Sequence, residues 1–220
     1  MFNLSKKTLI ITGGHIDFTF AKQFINDYKF DYIICADHGL VAANSLLITP
    51  NAIVGDFDSA DASILEQYKN DDNIYIRSFK PEKDYTDTEI AVDLAIEIGS
   101  TEVVILGATG SRIDHMLANI GLLIKFLQKD IAAYIIDKNN KLYLINKETV
   151  IAKEKLYGEY ISLIPITDIV MGVTLKGFKY PLINHKLVKE ESLGISNEII
   201  EDVARISMTS GTLLVIEAQD

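Results

Sequence analysis

Two acids stand one residue apart in Gly55-Asp56-Phe57-Asp58-Ser59, directly after the apolar run Ala52-Ile53-Val54. In an extended or turning backbone, residues i and i+2 point to the same side. The two carboxylates would crowd each other unless a cation sat between them. A hard divalent metal suits that place, because Mg²⁺ is typically held by one or two carboxylates together with substrate phosphates. Phosphoryl chemistry is therefore the first reading. Taken singly, Asp58 or Ser59 could instead cap a following helix, a role that Asp56 does not share.

Other clusters of chemistry-bearing residues follow apolar runs in the same way. They are Gly13-Gly14-His15, Asp37-His38-Gly39, the polar stretch holding Lys80, Lys83, Asp84 and Asp87, and Gly107-Ala108-Thr109-Gly110-Ser111-Arg112-Ile113-Asp114-His115. The last is a glycine-bearing loop that can turn backbone N–H groups and a helix N-terminus toward an anion. Arg112 adds a two-pronged donor for phosphate. It is neither a P-loop, lacking the Gly-Lys-Ser/Thr ending, nor a Gly-x-Gly-x-x-Gly fingerprint. Each cluster has an ordinary reading as well: Asp37 in a turn, Asp87 as a first-turn acid, Ser111 as an N-cap. Together, Asp37, Asp56, Asp58 and Asp87 at one edge favour a metal.

The elements that must position these residues read as strands at 8–12, 32–36, 52–54, 74–77, 102–106 and 132–136, with helices between them. The helix over 87–98 has Ile90, Ala91, Leu94, Ala95 and Ile98 on one stripe, Thr86 and Glu89 as a capping pair, and Gly99 as a stop. A second helix runs from Arg112 to about Gln128, with Ile113, Met116, Leu117, Ile120, Ile124 and Leu127 as its expected core stripe. Continuous apolar strands alternating with helices predict a mostly parallel sheet covered on both faces. In such sheets ligands bind beyond the carboxyl ends of the strands, where all five clusters fall.

After about Asp137 the pattern changes to short β-type runs punctuated by Gly172, Gly177, Gly194 and Gly211 and by Pro165 and Pro181. The expected architecture is an α/β domain over 1–137 and a small all-β sandwich over 138–220. The chain has 220 residues, 48% of them hydrophobic, which is enough for a real core. Its net charge of -10 argues against a general nucleic-acid binder. One cysteine, Cys35, allows no internal disulfide and suggests a reducing, cytoplasmic setting. No apolar run is long enough to span a membrane, and Met1 to Lys7 does not read as the start of a signal peptide.

The three segments Gly55–Ser59, Lys83-Asp84-Tyr85-Thr86-Asp87 and Gly107 to His115 resemble, in order and spacing, the thiamine pyrophosphokinase family. Gly194-Ile195-Ser196-Asn197 and Leu175 to Leu182 are similar to two segments of that family's β domain. The resemblance spans the whole chain. It implies transfer of pyrophosphate from ATP to the hydroxyl of thiamine, with attack at the β-phosphorus, giving thiamine diphosphate and AMP. It also implies that Asp56, Asp58 and Asp87 hold Mg²⁺. Asp37, Lys83, Thr109, Gly110, Arg112 and His115 are then expected at ATP, and Asp114, Ser196 and Asn197 at thiamine. Asp84 or Asp114 is expected to accept the hydroxyl proton or orient the ring. A homodimer follows by the same route, with thiamine bound between subunits. The chain departs from the family pattern at His38, where glycine is usual, at Ser111, and in having no tryptophan to stack on thiamine. A diphosphokinase for another alcohol, such as a hydroxymethylpterin, and a non-enzymatic nucleotide-binding regulator are the alternatives.

Overall fold

The computed structural model describes residues 5–56, 62–69, 71–78 and 85–220. The chain divides into two compact units, Met1–Lys138 and Asn139–Asp220.

The first unit alternates strands and helices: β1 Lys7–Ile11, α1 Phe18–Tyr28, β2 Tyr32–Ala36, α2 Gly39–Ser45, β3 Ala52–Gly55, α3 Ala62–Leu65, β4 Tyr75–Ser78, α4 Asp87–Glu97, β5 Glu102–Leu106, α5 Ile113–Leu127 and β6 Ala132–Ile136. The strands lie in the order β6-β5-β1-β2-β3-β4, and every pairing among them is parallel. Leu9, Ile10 and Ile11 of β1, Ile34 and Cys35 of β2 and Val103 to Ile105 of β5 are fully buried. Such runs, apolar at consecutive positions, are stable only in a strand covered on both faces. The strand order reverses direction at β1, with β2 on one side and β5 on the other. That is the switch point of a doubly wound sheet, where adjacent crossovers leave a crevice beyond the carboxyl ends.

Two helices set the edges of that crevice. Thr86 caps α4, its Oγ1 accepting the Glu89 N–H at 3.2 Å, and Gly99 ends the helix at φ +75°. Ile90, Ala91, Leu94 and Ala95 are buried, as the spacing predicts, while Ile98 is half-buried and Val92 is buried beside the stripe. In α5 the buried face is different from the expected one. Asn119, Leu123 and Phe126 face inward, whereas Ile113 and Leu117 are 64% and 62% exposed. This helix is apolar around most of its circumference, so periodicity alone does not single out the inner face. The cap also differs, since Arg112 rather than Ser111 occupies the N-cap position.

The second unit contains β7 Asn140–Ile145, β8 Thr149–Ala152, β9 Tyr160–Pro165, β10 Ile169–Lys176, β11 Leu182–Val188, β12 Asn197–Glu198, β13 Val203–Ser207 and β14 Leu213–Ala218. They form two antiparallel groups, ordered β12-β9-β14-β7 and β11-β10-β13-β8, as in a β-sandwich. Alternate residues turn inward, as with Ile161 and Leu163 in β9 and Ala204 and Ile206 in β13. In sequence the β-type runs are 141–145, 160–164, 173–175, 205–208 and 213–217, which correspond to β7, β9, β10, β13 and β14 and leave β8, β11 and β12 without a signal. The last two are short or largely exposed, so they carry little hydrophobic alternation.

Candidate active site

A cavity of about 480 Å³ opens at the switch point, beyond the carboxyl ends of β1, β2 and β5. Its floor is built where the loop after β1 crosses the loop after β5. The Thr12 N–H donates to Leu106 O at 2.9 Å, the Gly14 N–H to Gly107 O at 2.8 Å and the His15 N–H to Thr109 O at 2.9 Å. The Thr12 hydroxyl adds a bond to Gly107 O at 2.6 Å. Gly14 is required here, because a Cβ at that position would lie 2.2 Å from Gly107 O and 2.4 Å from Thr109 O. From below, the buried Asn119 amide of α5 donates to Ala108 O at 2.9 Å. Asn119 thus orients the glycine loop from inside the helix face. The sequence reading passed over it, although a polar residue in register with Leu123 and Phe126 (i, i+4, i+7) is the signal that marks such a residue.

The walls carry the candidate chemistry. Thr109, Gly110, Arg112 and His115 line the β5 side, Asp37 and His38 the β2 side, and Asp87 the mouth of α4. The structure therefore brings together six residues expected at the nucleotide or metal: Asp37, Asp87, Thr109, Gly110, Arg112 and His115. Asp56 follows directly on β3 at the same carboxyl edge, next to β2 in the sheet. Asp58, Lys83 and Asp84 lie outside the described residues. Among the described residues, no three His, Cys, Asp or Glu side chains are grouped closely enough to hold a metal ion.

Arg112 is not an isolated cation. Its Nε–H donates to Asp114 Oδ1 at 3.0 Å and an Nη2–H to Asp114 Oδ2 at 2.6 Å. This fork-on-carboxylate geometry fixes the guanidinium plane. The Arg112 bonds hold the Asp114 carboxyl well below the usual carboxylate range, helped by the His115 N–H, and Asp114 in turn raises the Arg112 pKa. Both side chains are largely exposed, so the pair orients Arg112 more than it stabilises the fold. The helices that carry Asp87 and Arg112 are also tied together. Lys125 of α5 reaches Asp93 at 2.8 and 3.0 Å and Glu89 at 2.8 Å, both on α4.

In the second unit, Ser196 and Asn197 form the tip and start of β12. The Ser196 backbone is left-handed, at φ +55°, and its N–H donates to Ser162 Oγ at 3.0 Å. Asn197 is only 7% exposed. Its Oδ1 accepts the N–H groups of Tyr180 at 3.0 Å and Glu198 at 2.9 Å, and its Nδ2 donates to Tyr180 O at 2.8 Å. The side-chain amide thus pairs with the Tyr180 backbone as a neighbouring strand would. The Tyr180 ring, 60% exposed, is presented at the surface beside Lys179, whose ammonium lies 5.6 Å from the ring centroid.

A switch-point cavity floored by crossed glycine loops and bordered by acids and a braced arginine is the arrangement in which open α/β sheets take up phosphate-bearing ligands. Comparison with known proteins gives the particular family. The family model described as thiamin pyrophosphokinase, catalytic domain, matches residues 22–135, and that described as thiamin pyrophosphokinase, vitamin B1 binding domain, matches 147–213. The thiamine pyrophosphokinase of Bacillus subtilis (strain 168) is 34% identical over 187 residues, which are 85% of this chain and 87% of that protein. A crystal structure of thiamine pyrophosphokinase from Bacillus subtilis matches with a TM-score of 0.85 at 33% identity, covering 98% of this chain and 100% of that one. The crystal structure of thiamin pyrophosphokinase from Geobacillus thermodenitrificans gives 0.83 at 28% identity, covering 97% and 98%. The chain belongs to the thiamin pyrophosphokinase family of enzymes.

Proposed function

We infer that this protein is a thiamine diphosphokinase, transferring pyrophosphate from ATP to the hydroxyl of thiamine and releasing AMP. One observation carries the reading. The catalytic-domain model and the vitamin B1 binding-domain model match in order, the first on the α/β unit with the switch-point cavity and the second on the β-sandwich. Nothing in the second match favours a pterin, and a bare nucleotide-binding regulator leaves a vitamin-binding unit without a role.

Transfer of this kind depends mostly on positioning and on offsetting charge. In this reading ATP occupies the switch-point cavity, its phosphates against the Thr109-Gly110 loop and within reach of Arg112, with Asp37 and His115 on the walls. Asp114 would keep the guanidinium in a fixed plane. Both of its oxygens are engaged by that fork, which leaves Asp84 as the acceptor we favour for the thiamine hydroxyl proton. Lys83 would assist Arg112 at the phosphates. The donor set fits a hard divalent ion, since Asp56 and Asp87 offer only oxygens and Asp87 opens onto the cavity. Asp56, Asp58 and Asp87 would hold Mg²⁺, which when bound supplies charge neutralisation at the phosphate oxygens. Ser196 would contact thiamine, with Asn197 acting through the Tyr180 segment. The 1–137 segment would thus serve ATP and Mg²⁺, and 138–220 thiamine and dimerisation.

The exposed Ile113 and Leu117 of α5 are surface that a second subunit would cover, in keeping with a homodimer. No helix among the described residues is long and apolar enough to cross a membrane. We assign the enzyme to the cytoplasm on its one cysteine, which suits a reducing compartment. The test is direct. The protein is incubated with ATP, Mg²⁺ and thiamine, and AMP and thiamine diphosphate are measured. Formation of both in equal amounts is expected. ATP hydrolysed without thiamine diphosphate, or no turnover at all, would refute the assignment.

A further inference from the structure

Three of the chain's four histidines, His15, His38 and His115, line the switch-point cavity. All three are exposed, and they come from three separate segments, those following β1 and β2 and the first turn of α5, so core packing does not explain where they stand. The other charged groups on the walls are Asp37, Asp87 and Arg112, and Arg112 is already engaged on two of its N–H groups by Asp114. Among the described residues, the imidazoles are therefore the remaining side chains of basic type that the cavity offers a polyanion.

His38 is the one with a brace. Its ring Nδ1 lies 3.2 Å from Asp37 Oδ2, close enough for the ring N–H to donate to the carboxylate. The backbone beneath is held in turn. Asp37 is in the left-handed region at φ +48°, its N–H donates to Val54 O at 2.9 Å, and its carbonyl accepts the Leu40 N–H at 3.0 Å. Across from it, the loop after β1 presents the bare Cα of Gly13. A Cβ there would come within 2.9 Å of the His38 Cβ. The β1 loop thus leaves room for a side chain at position 38, and the Asp37 carboxylate turns the Nε2 edge of the ring away from itself.

We propose that His38 is a nucleotide-contacting residue, its Asp37-braced imidazole donating to the phosphate chain of ATP from the β2 side of the cavity. This rests on the nucleotide reading of the site and adds to it. Arg112 approaches from the β5 side, so the two donors flank β1 and would hold the phosphates between them. With Nδ1 turned to the Asp37 carboxylate, the Nε2 edge is the part of the ring that meets a phosphate oxygen, and the charge on the phosphate makes that contact a charge-assisted one.

The test compares His38→Gly and His38→Lys with the wild-type protein. Calorimetric titration with ATP in Mg²⁺ buffer, and with adenosine as a probe lacking phosphates, reads binding without turnover. Loss of one charge-assisted contact at a half-exposed position should weaken ATP about tenfold in the glycine variant. Adenosine affinity should stay within about twofold, and steady-state assays should show a higher KM for ATP with the KM for thiamine unchanged. The lysine variant, which restores a cationic donor, should recover ATP affinity to within about threefold of wild type, and it carries the test if glycine loosens the turn. ATP affinity of the glycine variant within twofold of wild type, equal losses for ATP and adenosine, or no recovery with lysine would each overturn the proposal. Wild-type protein that binds ATP but forms no thiamine diphosphate would sink the functional assignment instead, and leave the His38 contact to the titration.

Discussion

Replacing Asn197 with alanine should destabilise the β-sandwich before it affects any ligand. The side chain makes three hydrogen bonds, at 3.0, 2.9 and 2.8 Å, all to backbone groups of Tyr180 and Glu198. Alanine removes every one of these partners. A buried amide bond of this type contributes about 1 kcal/mol net, and a partner left unsatisfied costs more. Tyr180 is largely exposed, so water can reach part of its backbone and offset some of the loss. The expected cost is about 2–3 kcal/mol, or roughly a 5–10 °C fall in melting temperature for a chain of this length. Thermal unfolding followed by circular dichroism reads it. The KM for thiamine, measured well below the melting temperature, should also rise, because the Tyr180 segment is no longer held. A variant that melts within about 1 °C of wild type, whatever its thiamine affinity, would refute the assignment of Asn197 as the residue that pins Tyr180. In that case its amide would have to act on the ligand alone.

The remaining predictions concern the first unit. Asp56→Ala should abolish turnover while leaving the melting temperature nearly unchanged, since the side chain follows a strand end rather than filling the core; a variant retaining near-normal activity removes the metal role. Asp114→Asn should lower kcat about tenfold or less while sparing the fold, because Arg112 stays charged but loses its fixed plane; a loss as large as that of Arg112→Ala would instead make Asp114 a direct participant. Cys35 is fully buried and its thiol is pushed up from 9.0 to about 12 by that burial. It should resist thiol reagents at pH 8 until the protein is unfolded. Between about pH 9 and 12 the unfolded chain releases this proton and the folded chain keeps it, so this group's contribution to stability is intact below pH 9 and falls by about 1.4 kcal/mol per pH unit within that window. Rapid labelling of the native protein at pH 8 would contradict the burial.

The inner strands of the first unit, β1, β2, β3 and β5, were legible as apolar runs because both faces of a parallel sheet are covered and burial then favours hydrophobic residues at successive positions, whereas the edge strand β4, Tyr75–Ser78, is largely exposed. For the same reason the clusters at 13–15, 37–39, 55–59 and 107–115 could be assigned to one sheet edge, since each directly follows such a run. The thiamine pyrophosphokinase resemblance was carried by short polar segments whose residue types the chemistry constrains. What pattern could not supply was direction. On α5, apolar residues surround the axis, and only packing against the sheet decides that Asn119, Leu123 and Phe126 face inward while Ile113 and Leu117 do not. The crossing of the β1 and β5 loops depends on contacts nearly a hundred residues apart. The Arg112–Asp114 fork joins residues only two apart, yet its geometry depends on how α5 begins, and the Asn197 amide meets the Tyr180 backbone 17 residues away in sequence. Local spacing determines which residues share a face or a strand end. Which polar atom meets which is decided only when distant segments are packed together, because a hydrogen bond needs its partners within about 3 Å and suitably aligned.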